Sequence, residues 1–330
     1  MARICYRRLM PRIVYTCYPT GAVAGGQKVI IRHVEALRAL GFDAVLWTNR
    51  SSKFPEWMTF SAPIEVETPL RPDDIMVVPS DAPNVIRAAA RDFRRAVVFE
   101  QNQFTFAALA LEALDQFPAE RFPTFIAVGG ANARTIRRIY PAARVEIVPC
   151  FADERVFRPG QEKTHQVALS PRKRISEARI IRALLPRYHP THAGLPWAQL
   201  EGVSEQQVAQ TMAASTLFLS LSRFESVGMT PLEAMACGCV CAGFTGIGGR
   251  EFASSENGFW VGEDDCEAAA DALAEAADLV LTGGAGLRQM QEAGFETAGR
   301  WSYARFLSAL EATWERLAPE ARTLPVRRPA

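Results

Sequence analysis

The sequence lacks long hydrophobic runs and carries almost no net charge. No stretch of about 20 consecutive apolar residues occurs, so we expect no transmembrane helix. Its 37 Lys and Arg offset 36 Asp and Glu to a net charge of +1, so no global field favours nucleic acid or an anionic membrane. No apolar run as long as a signal-peptide h-region follows the charged start at residues 1–12, and we therefore expect no signal peptide and a cytoplasmic protein.

Common metal and cofactor motifs are also missing. Seven cysteines form no disulfide-like framework, and Cys237, Cys239 and Cys241 lack a second cysteine pair or a nearby histidine to complete a zinc site. We expect these three to pack as small apolar residues in a reducing compartment. The chain has no D-x-D motif for a divalent ion, and its first glycine loop is neither a P-loop nor a dinucleotide fingerprint. We therefore predict no metal and no cofactor, and a dehydrogenase is disfavoured.

Positive charge is concentrated locally rather than globally. The two basic clusters comprise Arg3, Arg7, Arg8 and Arg12 at the N-terminus, and Arg87, Arg91, Arg94 and Arg95 further on. A solvated protein face is the favoured explanation of both clusters. The alternative is a weak peripheral contact with the inner face of the membrane.

Strand-like and helix-like segments alternate from end to end, which predicts an α/β fold with parallel sheets. The 330 residues are enough for about two domains. A break at 149–164 contains two prolines, a glycine and mixed charges and indicates an interdomain linker. We predict a first domain at 1–155, a linker at 156–165, a second domain at 166–300 and a final helix and tail at 301–330.

The pattern also predicts the individual elements. Strands are expected at 12–17, 43–48, 74–78, 96–100, 125–128, 145–148, 166–170, 197–200, 217–221, 240–242 and 258–261. Helices are expected at 27–40, 82–91, 131–140, 176–185, 205–213, 266–281, 287–298 and 302–317, and from about residue 230.

The segment 217–249 carries the strongest functional pattern. A buried strand at 217–221 leads into a glycine-containing loop and then a helix, where T-P-L-E at 230–233 matches a capping box with Thr230 as N-cap. The free amides of that helix end suit a phosphate, and Gly228 would let a ligand approach the backbone. Glu225 and Glu233 bracket the loop. Amides beside two carboxylates suit a sugar nucleotide, which combines an anionic group with many hydroxyls.

A basic segment opens the second domain. S-P-R-K-R at 170–174 follows a predicted strand, where ligands bind in open α/β sheets. Cations at a helix N-terminus oppose the helix dipole, so their presence favours an anionic ligand such as a diphosphate over a plain solvated turn.

These motifs together resemble the Glu-x7-Glu signature of retaining GT-B glycosyltransferases, in particular glycosyltransferase family 4 (glycosyl transferases group 1). Glu225 and Glu233 have the required spacing, and E-A-M-A-C-G at 233–238 matches the family's continuation. The resemblance implies two Rossmann-like domains that face each other across a cleft, with the C-terminal helix crossing back to the first domain. It implies sugar transfer from a nucleotide diphosphate sugar to a hydroxyl of a glycan, lipid-linked or other acceptor, with retention and without metal, in bacterial glycan or glycoconjugate assembly.

The resemblance also implies residue roles. Glu225 would face the donor sugar and Glu233 the ribose hydroxyls. Arg172 and Lys173 would contact the diphosphate, with Arg174 as a rival. The loop amides facing the diphosphate and sugar would be those of Ser226, Val227, Gly228 and Met229.

Weaker matches complete the predicted site. Gly202 and Val203 would hold the nucleobase through their backbone, and Gly25 and Gly26 would line the cleft. Asn102 or Gln103 would stand where the family often has a histidine. T-G-I-G-G-R-E at 245–251 either resembles a glycine turn of the family or is a plain turn.

Two alternatives to a transferase stay open at this point. One is another GT-B activity, such as a sugar-nucleotide epimerase or a phosphorylase. The other is a non-catalytic protein that binds nucleotide sugars.

Overall fold

The computed structural model describes residues 10–325. Arg3, Arg7 and Arg8, and residues 326–330 of the predicted tail, lie outside the described residues. The chain forms two compact units, one within Met1–Ala127, Asn132–Val148 and Leu307–Ala330, the other within Val128–Ala131 and Pro149–Phe306. Within 10–325, no helix combines the length and apolarity needed to cross a bilayer.

The first unit contains a seven-stranded parallel sheet in the order β3-β2-β1-β4-β5-β6-β7. Its strands are β1 (Ile13–Thr16), β2 (Ala44–Thr48), β3 (Ile64–Val66), β4 (Ile75–Pro79), β5 (Arg95–Glu100), β6 (Thr124–Ala127) and β7 (Val145–Ile147). The helices between them are α1 (Gly25–Ala39), α2 (Pro83–Asp92), α3 (Gln103–Leu109), α4 (Leu111–Leu114) and α5 (Gly130–Ile139).

The second unit contains a five-stranded parallel sheet in the order β12-β11-β10-β8-β9. Its strands are β8 (Thr164–Leu169), β9 (Trp197–Gln199), β10 (Ser215–Leu221), β11 (Val240–Phe244) and β12 (Phe259–Val261). Its helices are α6 (Ile175–Tyr188), α7 (Glu205–Ala214), α8 (Met229–Ala236), α9 (Gly246–Gly249), α10 (Cys266–Thr282) and α11 (Gly284–Arg300).

The predicted α/β architecture with parallel sheets is confirmed in both units. The central strands are buried along almost their whole length, as in β4 and β10, because helices cover both faces of such sheets. In the second unit the apolar core joins strands β8, β10 and β11 to helices α6 and α10.

The last helix, α12 (Tyr303–Leu317), begins in the second unit and belongs to the first from Leu307 onward. Its buried residues Phe306, Leu310 and Trp314 recur every four positions and therefore form one apolar face. The predicted return of the final helix to the first domain is confirmed.

Candidate functional site

A pocket lies where the strand order of the second sheet reverses. From β8 the chain goes through α6 to β9 on one side, then returns through α7 to β10 on the other side of β8. The carboxyl ends of β8 and β10 are therefore neighbours at a topological switch point, where open α/β sheets bind their ligands. The pocket has a volume of about 370 Å³, part of it open to solvent, and is lined by Ser170, Arg172, Lys173, Phe218, Leu221, Ser222, Glu225 and Thr230.

The pocket brings together three predicted catalytic residues from distant parts of the sequence. Arg172 and Lys173 come from the loop after β8, and Glu225 from the loop after β10. The Lys173 ammonium lies 2.7 Å from the Glu225 carboxylate and 3.5 Å from the Arg223 carbonyl oxygen. Two cations and one carboxylate thus share one wall, with Lys173 bonded to the acid.

Arg174, the rival for the diphosphate role, is committed elsewhere. Its side chain is 1% exposed, and its Nε donates to the Ser222 carbonyl oxygen at 3.0 Å. Its remaining donors bond three carboxylates, those of Glu177, Glu263 and Asp264. The hydrogen bond from Arg174 lowers the pKa of Asp264. Arg174 therefore fastens the loop after β10 to the start of α6 and to the segment before α10.

The helix after the loop starts two residues earlier than the predicted capping box requires, with Gly228 rather than Thr230 as its N-cap. α8 begins at Met229, and its N-cap is Gly228 in the left-handed conformation, with φ of 74°. Thr230 is the second helical residue, so the predicted capping box at 230–233 is wrong, and Glu233 lies beyond the first turn. The physical reason is that glycine reaches this backbone conformation at little steric cost and can end the loop there.

The remaining predicted residues of the loop and of α8 are not part of the pocket lining. Ser226, Val227 and Glu233 are buried, at 4–5% exposure, and Gly228 is also buried. Met229 is half-buried. The roles of the loop amides and of Glu233 therefore stay predictions.

Two other predicted pairs lie away from this pocket lining. Gly202 and Val203 are in the loop before α7, where Gly202 is exposed with φ of 65°. Gly25 and Gly26 belong to the first unit and are the first two residues of α1, which begins two residues before its predicted start.

The predicted packing role of the clustered cysteines agrees with their surroundings. Cys237, Cys239 and Cys241 are buried, and burial raises the pKa of the Cys239 thiol to about 11. A neutral thiol is inert and a poor metal ligand. Among the residues the structure describes, no group of three or more His, Cys, Asp or Glu side chains could hold a metal ion.

Sequence reasoning did not single out Ser222 as a pocket residue. It is 4% exposed and directly follows β10, and its carbonyl oxygen accepts the hydrogen bond from Arg174. The available signal was its position just past the carboxyl end of a predicted strand.

Known proteins resemble this chain in sequence and in fold. A family profile described as "Glycosyl transferases group 1" matches residues 187–278, which includes β10 and α8. An alpha-1,6-glucosyltransferase of Actinobacillus pleuropneumoniae serotype 7 (strain AP76) is 26% identical over 284 residues, covering 82% of this chain and 84% of that protein.

Two solved structures are similar over nearly the whole chain. Sucrose-phosphate synthase from Thermosynechococcus elongatus matches with a TM-score of 0.65 and 14% identity, covering 93% of this chain and 99% of the other. HepE from Anabaena, solved in complex with UDP-glucose, matches with a TM-score of 0.65 and 14% identity, covering 92% and 99%.

Proposed function

We propose that this chain is a group 1 glycosyltransferase that transfers a sugar from a nucleoside diphosphate sugar to a hydroxyl of an acceptor. The profile match at residues 187–278, the glucosyltransferase relative and the shared fold support this proposal. HepE binds UDP-glucose, and the curated relative is a glucosyltransferase, so UDP-glucose is the first donor to test. We place the reaction in the cytoplasm, in bacterial glycan or glycoconjugate assembly, with a glycan or lipid-linked acceptor and at most weak contact with the inner membrane face.

One observation carries this proposal: Arg172, Lys173 and Glu225 line a single pocket at the switch point of the second sheet. Cations there suit the diphosphate of the donor, and Arg can grip a phosphate with two N–H groups. The amides at the start of α8 add a positive dipole end on the same side of the sheet.

In the proposed reaction the glycosidic bond to the diphosphate breaks and negative charge grows on the leaving phosphate. Fixed cations and amides stabilise such charge best when they are already in place. Arg172 and Lys173 supply the cations, and the 226–229 amides supply hydrogen bonds. We assign Glu225 to the sugar and Glu233 to the ribose. We propose retention of the anomeric configuration and no metal, since the two cations can serve the diphosphate.

The test is a panel of labelled donors: UDP-glucose, UDP-galactose, UDP-N-acetylglucosamine, GDP-mannose and ADP-glucose. Without acceptor, we expect slow hydrolysis of one donor, with the α-anomer of the sugar formed first by NMR and the rate unchanged by a chelator. Interconversion of donors would instead identify an epimerase. Binding of a donor without any turnover would identify a non-catalytic binding protein.

A substitution of Glu233 tests the proposed contact with the ribose. Glu233→Gln should weaken UDP binding at least tenfold by calorimetry, because a charged acceptor for the ribose hydroxyls is lost. The loss should shrink for 2′,3′-dideoxyuridine diphosphate, which lacks those hydroxyls. Glu256→Gln, an exposed change in the same unit, is the control. Equal losses for both nucleotides would refute the ribose contact.

A further inference from the structure

The short helix α9, within T-G-I-G-G at 245–249, packs directly on the loop that follows β10. The Gly248 N–H donates to the Glu225 carbonyl oxygen at 2.9 Å. A Cβ atom on Gly248 would overlap the Ser226 carbonyl carbon and the Val227 nitrogen. Backbone meets backbone here, so a side chain on Gly248 forces the loop to move.

A second glycine of α9 touches the other end of the same loop. Gly246 has φ of 62°, and a Cβ atom there would lie 3.0 Å from the Ser222 Cβ. α9 therefore contacts the loop both where it leaves β10 and where it turns toward α8. This arrangement excludes a plain solvent-facing turn for 245–249.

The loop needs such support because the non-glycine residue Phe224 adopts a left-handed backbone conformation. Phe224 has φ of 46° although it is bulky and 59% exposed, and Gly228 has φ of 74°. A non-glycine residue in this region costs about 1–2 kcal/mol and persists only when its surroundings hold it. The bond from Gly248 to Glu225 falls between these two residues.

We propose that α9 is a rigid template for the diphosphate-facing loop and that Gly248 is a positioning residue for donor binding. Gly248 acts through the backbone of Glu225 and Ser226: it fixes where the Glu225 carboxylate meets Lys173 and where the 226–229 amides point. The identity of the ligand rests on the proposed function, whereas the template role does not.

The test compares three glycine variants of the same helix. Gly248→Ala creates the backbone clash, whereas Gly246→Ala combines a close contact with Ser222 and a side chain at a left-handed φ. Gly249→Ala is the control, because its Cβ would meet only Thr245 at 3.4 Å and Phe252 at 3.6 Å, which are ordinary contacts. If Gly248→Ala does not fold, Gly246→Ala carries the test.

Hydrogen exchange reads the loop itself. Gly248→Ala should raise amide exchange across 222–229 at least tenfold, Gly246→Ala less, and Gly249→Ala within twofold of wild type, while exchange in β8 and β10 stays unchanged. Exchange that rises equally throughout the second unit would overturn the template role, because it would show general destabilisation.

Ligand affinity tests whether the template role of α9 matters for donor binding. The probes are UDP, GDP, ADP and dTDP, each compared with its nucleoside. For the diphosphate that wild type binds, Gly248→Ala should lower the affinity at least tenfold. The affinity for the matching nucleoside should stay within twofold of wild type. Unchanged diphosphate affinity would overturn the inference. If wild type binds none of the four while Gly248→Ala still loosens 222–229, the proposed function fails and the template role stands.

Discussion

The three consecutive cations after β8 differ in their contacts. Arg174 is buried and bonds Ser222 and three carboxylates, so it is part of the framework beneath the pocket. Lys173 is 36% exposed and bonds across the pocket wall, to Glu225 and the Arg223 carbonyl oxygen. Arg174 holds the loop in place, while its neighbours Arg172 and Lys173 line the pocket.

Lys173→Ala should separate activity from stability. A pre-positioned cation at a leaving group is worth about 100-fold or more in rate, so donor hydrolysis should fall by about that factor in kcat/KM. A half-exposed ion pair contributes less than about 1 kcal/mol to folding, so the unfolding free energy in urea should barely change. Arg179→Ala removes an exposed cation from α6 outside the pocket and should leave both quantities unchanged. Equal activity of the two variants would contradict the role of Lys173.

At the scale of elements, the start of α8 depends on one glycine. Gly228 holds φ of 74° as N-cap, and a Cβ atom there would meet Ser222 and Glu225 at ordinary distances of 3.5 and 3.6 Å. The constraint on this position is therefore the backbone conformation rather than space.

Gly228→Ala should lower the unfolding free energy by about 1–2 kcal/mol, the cost of a left-handed residue with a side chain. Gly262→Ala is the matched control, because its φ is not left-handed and nothing lies within 4 Å of its Cβ. Urea titration of both variants measures the difference. A Gly228→Ala protein as stable as the control would show that the loop relaxes freely.

The sequence predicted the elements well where burial enforces a pattern. The central strands form apolar runs and were found, whereas β3 was missed, because its residues are largely exposed at the sheet edge and lack such a pattern. The prediction lacks α3, because Asn102 at the end of β5 fits a site residue as well as the N-cap that it is. Its side chain accepts hydrogen bonds from the Phe104 and Thr105 amides.

The sequence predicts which residues lie at a sheet edge, but not which of them are neighbours in space. Strand ends placed Arg172, Lys173 and Glu225 at a sheet edge, but only the order of β8 and β10 puts them in one pocket. Arg174 could not be separated from Lys173, since its partners Glu263 and Asp264 lie about 90 residues away in sequence. The template role of Gly248 depends on a backbone contact that no residue spacing encodes.

At the scale of the molecule, two buried ionisable groups of the first unit change the folding stability with pH in opposite directions. Burial raises the pKa of Glu100 to about 7 and lowers the pKa of His33 to about 3. The folded state holds the Glu100 proton more tightly than the unfolded state, so this contribution to stability is lost as pH rises from about 4.5 to 7. The His33 contribution is lost as pH falls from about 6.5 to 3.

Glu100→Gln should remove the loss of stability between about pH 4.5 and 7 that Glu100 causes. Glutamine can still accept the hydrogen bond from Asn132 and carries no charge to bury. At pH 8 the variant should gain stability relative to wild type, by up to about 3 kcal/mol at 1.36 kcal/mol per pKa unit, and the gain should vanish near pH 4.5. Urea unfolding from pH 4.5 to 8 measures it, with exposed Glu112→Gln as control. A gain independent of pH would contradict the assignment.

The bond between Lys173 and Glu225 also has a consequence for which anions the pocket admits. Because the two groups lie 2.7 Å apart, their charges largely cancel at a distance. Inorganic phosphate that approaches Lys173 must compete with the Glu225 carboxylate, which is already bonded there. The small anion makes few other contacts that could offset this competition. An extended ligand that also reaches Arg172 and the loop amides can offset that competition. The pair therefore discriminates against abundant small anions, and inorganic phosphate should inhibit a Glu225→Gln variant more strongly than the wild-type enzyme.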